Sequence, residues 1–155
     1  MVDMPFLIKA TLEQIVTYLQ RSGYFGTVMV GEPKSPPDTS DKLAAALFMR
    51  SAGVAQLTLN STIESHVVNI RIYRNMLQEP VEDAEYQLAE AVSEVSNDLL
   101  GDIDLGARVR AIDVGGIHAA PYRTDWGYVE AGGTMYRVAD IVFGLIVDDS
   151  ATLVA

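Results

Sequence analysis

Apolar side chains recur along this chain with two periods, and the switches between them mark out the elements. Leu12, Ile15, Val16 and Leu19 fall on one face of a helix, and Thr11 with Gln14 three residues on has the form of a capping box at its start. Gly23 supplies a left-handed stop. Residues 24–30 are rich in β-branched and aromatic side chains and predict a strand, whereas residues 31–41 gather Pro33, Pro36, Pro37, Asp38 and Ser40 and predict a long loop. Residues 43–50 fit either period. Three alanines favour helix, while the short length and the turn formers around it favour a buried strand, which is the reading taken here.

Residues 54–59 and 66–73 predict two further strands, the second alternating Val68, Ile70 and Ile72 with Asn69, Arg71 and Tyr73. That alternation implies one buried face and one polar face. Pro80, in its tolerated first-turn position, opens a second helix with Ala84, Leu88, Ala91, Val92, Val95 and Leu99 as its inward stripe, and Gly101 ends it. Residues 107–114, 122–130 and 134–147 read as β, with Ala131, Gly132 and Gly133 as the hairpin connection between the last two. The final strand is apolar on both sides beyond Asp140, with Ile141, Phe143, Leu145 and Val147 on one face and Val138, Val142 and Ile146 on the other. The expected class is therefore α+β: a mainly antiparallel or mixed sheet with two principal helices on one face. A second sheet layer or a neighbouring subunit would cover the other. The length of 155 residues suits one domain spanning residues 1–155.

Composition narrows the functional classes. The longest uninterrupted apolar run, residues 43–49, is too short to cross a bilayer, and Asp3 precedes an N-terminal stretch that lacks the charge pattern of a secretory signal. The expectation is no membrane span and a protein that stays where it is made. With no cysteine, the chain has neither disulfides nor thiolate ligands and must be held by packing. A formal net charge of −10 argues against recognition of nucleic acid through phosphate neutralisation.

Candidate chemistry is sparse. Gly115-Gly116 and Gly132-Gly133 lack the spacing of a dinucleotide or P-loop fingerprint and read as turns. His66 and His118 are the only histidines and are far apart in sequence, so no zinc site is expected. The pairs Asp38/Asp41, Asp102/Asp104 and Asp148/Asp149 lack the calcium-hand loop. No cofactor is anticipated. The best catalytic candidate is a small enzyme or ligand-binding site built on His118, Tyr122, Arg123, Asp125 and Trp126, which place four kinds of functional group on connected loops. No Gly-x-Ser-x-Gly elbow exists to supply a nucleophile, and a structural or interface loop is the preferred reading.

Charge patterning says more. Between Asn75 and Ala107 there is no Lys or Arg, while Glu82, Asp83, Glu90, Glu94 and Asp98 mark the outer face of the second helix. Such a face is a solvated surface, a partner surface for a basic protein, or a wall past which DNA slides.

Val67-Val68-Asn69-Ile70-Arg71-Ile72-Tyr73 running into Arg74-Asn75-Met76, the acidic helix start Glu79-Pro80-Val81-Glu82-Asp83, and Tyr128 with the Gly132-Gly133 hairpin form one pattern. It ends in Tyr136-Arg137-Val138-Ala139-Asp140-Ile141 before Val147-Asp148-Asp149. Taken together, and over most of the chain, these resemble the tail terminator proteins of siphophages, particularly those of actinobacterial viruses. The resemblance implies a non-catalytic virion protein whose α+β subunits form a hexameric ring that caps the tail tube, ends tube polymerisation and joins the tail to the head. The implied partners are further copies of the chain, the tail tube protein and the head–tail connector or stopper protein. Genome DNA would pass the lumen without being read, and assembly would take place in the host cytoplasm. A neighbouring neck adaptor or the tube subunit itself is the alternative virion role. A ring that stops a polymer needs two different axial faces. The loop bearing Pro33, Lys34, Pro36, Pro37 and Asp38 and the hairpin tip at Ala131, Gly132 and Gly133 are the expected contact points.

Overall fold

The structure, a computed structural model, describes residues 7–33, 39, 42–57, 62–75, 81–118 and 120–149. It is an α+β fold with two helices and a curled mixed sheet. Helix α1 (Ile8–Arg21) begins a turn before Thr11. The expected capping box does not form. Thr11 is fully buried beside Ile15 and Leu19, and its hydroxyl bonds back to the Leu7 carbonyl at 2.9 Å, which satisfies it inside the helix. Gln14 instead donates to the Tyr18 hydroxyl at 3.3 Å. Gly23 takes the left-handed conformation (φ +80°) anticipated for the stop.

Strand β1 (Phe25–Val30) pairs in parallel with β2 (Leu43–Leu57), which pairs antiparallel with β3 (Thr62–Asn75). The ambiguous residues 43–50 are thus strand, and they run on without a break into the next predicted strand. Bulges between Met49 and Ser51 and between Val54 and Gln56 absorb the irregular residues there. Helix α2 (Val81–Gly101) buries Leu88, Ala91, Val95 and Leu99 as the periodicity required. Pro80, Lys34, Pro36, Pro37, Asp38, Ser40 and Asp41 lie outside the described residues.

The strand expected over residues 107–114 shrinks to β4 (Ala111–Ile112). The chain cannot extend earlier, because Leu105 (φ +50°) and Ala107 (φ +66°) are left-handed in a run of turns that inserts Leu105 fully into the core. Strands β5 (Arg123–Ala131) and β6 (Thr134–Asp149) form a hairpin whose two-residue turn, Gly132-Gly133, has positive φ at both positions, as the primed turn requires. The strand order is β1-β2-β3-β6-β4, with β5 also beside β6, so β1 lies at one edge and β4 and β5 share the other.

Opposed residues in an antiparallel ladder share a face, which assigns the sides. The helix side carries Leu43, Leu47, Val68, Ile70, Ile72, Ile141, Phe143 and Leu145, under Ile15 and Leu19 of α1 and the α2 stripe. The other side of the central strands is not polar and open, as the alternation in β3 suggested. Ala44, Ala46, Tyr73, Tyr136 and Val138 form a second buried cluster there, and Asn69 is fully buried. The alanines leave room for the edge-to-face rings of Tyr73 and Tyr136, 6.0 Å apart. Cover by a neighbouring subunit is therefore unnecessary at these positions, since they are already buried in the isolated chain.

Candidate functional site

The loop between β4 and β5 is built around one carboxylate. Asp113, 2% exposed, accepts the backbone N–H of Ile117 (2.9 Å) and of His118 (3.0 Å), while its carbonyl accepts from Gly116 (3.2 Å). These amides are turned inward to their own chain, so the Gly115-Gly116 doublet is a turn and no anion cradle. Gly116 has φ +69°, and a Cβ there would sit 2.6 Å from the Pro121 nitrogen, so only glycine fits.

The candidate catalytic residues do not converge. Tyr122 points to the helix side, stacks on Phe143 at 5.3 Å and donates to the Ser96 hydroxyl of α2 at 2.8 Å. Asp125 stands on the opposite face of the sheet, in register with Asp140, and pairs with Arg123 at 2.9 Å. Trp126 returns to the helix side. Burial raises the Tyr122 phenol above its ordinary pKa, with the Ser96 hydrogen bond partly offsetting this. The folded chain then holds that proton more tightly than the unfolded one. The resulting stabilisation is complete below about pH 10, the unfolded value, and is lost as pH rises through the folded value. Urea unfolding should show stability falling above about pH 10. Tyr122→Phe should flatten part of that fall and cost about 1 kcal/mol at neutral pH, and an unaltered alkaline slope would contradict the assignment.

Glu82, Asp83, Glu90 and Glu94 are exposed along α2, whereas Asp98 is half-buried and belongs less to the acidic face than its spacing suggested. At the hairpin tip Gly132 and Gly133 are exposed, and Ala131 packs against the second buried cluster. Pro33 is half-buried, and buried Thr39 is the one described residue of the loop beyond it before Lys42.

Two groupings escaped the sequence reading. On the helix side, the Arg137 guanidinium lies 4.6 Å from the Tyr128 ring centre and 5.9 Å from that of Trp126, and it grips the Glu85 carboxylate of α2 at 3.2 and 3.3 Å. That ion pair raises its pKa. Arg74 of β3 sits directly across from Arg137 in the ladder, with its Nε buried and without a hydrogen-bond partner, and burial lowers its pKa. On the other side, Arg71 binds Asp140 through two bonds of 2.7 and 3.1 Å, Asn69 donates to the same carboxylate at 3.2 Å, and the bulged Arg50 donates to Asn69 at 3.2 Å. The hydrogen bonds to Asp140 raise the pKa of Arg71 further above its already high value. The exposed Trp126 and Tyr128, alternating on one edge strand, were the available signal for the first grouping. The opposite charges inside apolar alternation, Arg71 and Asp140, were the signal for the second.

Among the described residues no three His, Asp or Glu side chains gather as metal ligands. Asp148 pairs with Arg110 at 3.2 Å, and Asp102 accepts from the Tyr18 hydroxyl and the Gly106 amide. No described helix is long and apolar enough to cross a membrane. No protein-family model matches the chain, and no curated protein matches it in sequence.

Proposed function

We propose that this chain is a self-assembling structural subunit acting as a siphophage tail terminator: a hexameric ring that caps the tail tube, ends its growth and joins it to the head–tail connector. The observation that carries the reading is the sheet's two unlike open edges. Among the described residues no strand pairs the outer side of β1 or of β5. Unpaired edges are sites for addition of another strand or subunit. Contact between unlike surfaces of identical copies is head-to-tail, and it closes into a ring when the rotation per copy divides the circle. The exposed aromatic residues Trp126 and Tyr128 on β5 are of the kind that anchor interfaces. The residue pattern running from Val67 through Asp149 then favours a tail terminator among ring-forming proteins. In this reading the tube protein and the connector meet the two axial faces, and the acidic first turn of α2, Glu82 and Asp83, lets genome DNA pass without adhering.

Light scattering tests the reading directly. Six copies of the 16.8 kDa chain give a particle of roughly 100 kDa, and that species, added to growing tubes, should shorten them and appear at one end in electron micrographs. A chain that stays at monomer mass with tubes present rejects the proposal. Long tubes formed by the chain alone would make it the tube subunit instead.

A further inference from the structure

Each copy carries two charged surfaces that are uncompensated on their own. One is the surface at Arg74, partly exposed, whose buried Nε has no hydrogen-bond partner among the described residues and which stands across the ladder from a second arginine, Arg137. Trp126 and Tyr128, 41% and 59% exposed, lie against the Arg137 guanidinium. In a chain of net charge −10, two arginines in register are an exception, and among the described residues Arg137 has a carboxylate partner, Glu85, whereas Arg74 has none. The other surface is the ridge of α2 formed by Glu90 and Glu94. Both are exposed, they stand one helical turn apart, and the helix bears no basic residue to offset them. Like charges at that spacing repel.

The two surfaces cannot satisfy one another within a copy. Glu85 already occupies the approach from α2 to the arginine pair, and Glu94 lies about 13 Å further along the helix, on its outward side. They are complementary only between copies, and a contact between two different surfaces is the head-to-tail kind that builds rings. We propose that Arg74 and Arg137, with the Trp126 and Tyr128 rings against Arg137, form the docking site for the Glu90–Glu94 ridge of a neighbouring copy, an inference that rests on the ring reading above. Trp, Tyr and Arg in a partly covered setting are the side chains that dominate binding energy at such contacts. A carboxylate of the neighbouring copy at this surface gives the Arg74 guanidinium a charged acceptor.

A charge exchange tests the site with the full chain. Arg74→Glu should shift the assembled particle to monomer mass at concentrations where the unaltered chain is assembled, a weakening of at least about tenfold. Glu90→Lys with Glu94→Lys should do the same, and all three substitutions together should restore the particle. Circular dichroism melts of each variant would establish that the subunits remain folded, and the milder Arg74→Gln should weaken assembly to a lesser degree. Assembly indifferent to Arg74→Glu, or two disrupting variants whose combination fails to reassemble, would overturn this contact while leaving the ring intact as a reading. Binding of millimolar inorganic phosphate by the monomer that depends on Arg74, without charge-exchange rescue, would make the site one for a free anion and overturn it too. An unaltered chain that is monomeric at every concentration would instead remove the ring itself.

Discussion

Ile141→Asp is expected to remove the protein from the soluble fraction. Ile141 is fully buried near the middle of β6, with Ile70 of β3 on one side and Thr124 of β5 on the other, and its side chain faces the core under the helices. A carboxylate at that point meets apolar side chains of the main core, including Ile70, Ile72 and Phe143, and gains no counter-ion from them. Burying an uncompensated ionisable group costs several kcal/mol even when it escapes ionisation by taking up a proton. A loss of about 4–5 kcal/mol is comparable with much of the roughly 5–15 kcal/mol that holds a domain folded. The contrast is Ile141→Val, which keeps the shape and removes one methylene. It should express normally and lose about 1 kcal/mol in urea unfolding. A soluble Ile141→Asp protein with an unchanged melting temperature would mean that β6 faces the other way, and the side assignments along β3 and β5 would fall with it.

Much of this architecture was legible because local rules agreed with the global packing. The α2 stripe, the Gly132-Gly133 turn and the apolar faces of β6 each depend only on residues close in sequence. What escaped reading depended on distant pairing. The parallel direction of β1 against β2 leaves no trace in a period-two pattern, since either direction buries the same residues. Ser51 and Gly53 look like a break between strands, yet β2 continues through them because bulges restore its register with β3. Thr11 resembles an N-cap and is instead an inward-facing residue whose hydroxyl has an internal acceptor. In β3, Asn69 and Tyr73 look like solvent-facing residues, and only their partners from β2 and β6, Arg50, Asp140 and Tyr136, reveal that both are buried. The candidate site divided in the same way. Strand parity alone separates Tyr122 from Asp125 onto opposite faces, which sequence reasoning could have used. The facing of Arg74 and Arg137 requires the register of two strands some sixty residues apart, which no local pattern carries.

Asp140→Ala should be the most damaging substitution outside the apolar core. The Asp140 and Arg71 side chains are only 19% and 22% exposed, so solvent screens their pairing weakly, and the bidentate geometry fixes both planes. The carboxylate also anchors Asn69, a fully buried amide, which in turn holds Arg50 at the β2 bulge. Removing it leaves a guanidinium and an amide donor without this acceptor, and Arg71 keeps its hydrogen bond with Tyr73 and the Phe48 ring, 5.5 Å away, in partial compensation. The cost of breaking such a pair from one side is about 3 kcal/mol, near the lower end for buried pairs because a fifth of each side chain still reaches water. For a chain of this size that is a fall of roughly 6–12 °C in melting temperature. The penalty belongs to the orphaned partners more than to the pair. Arg71→Met combined with Asp140→Leu should therefore recover part of the loss that Asp140→Ala alone incurs. Urea unfolding of the single and double variants measures the coupling. Additive losses would mean that the two residues act separately, and that this side of the sheet is held by the Tyr73–Tyr136 cluster alone.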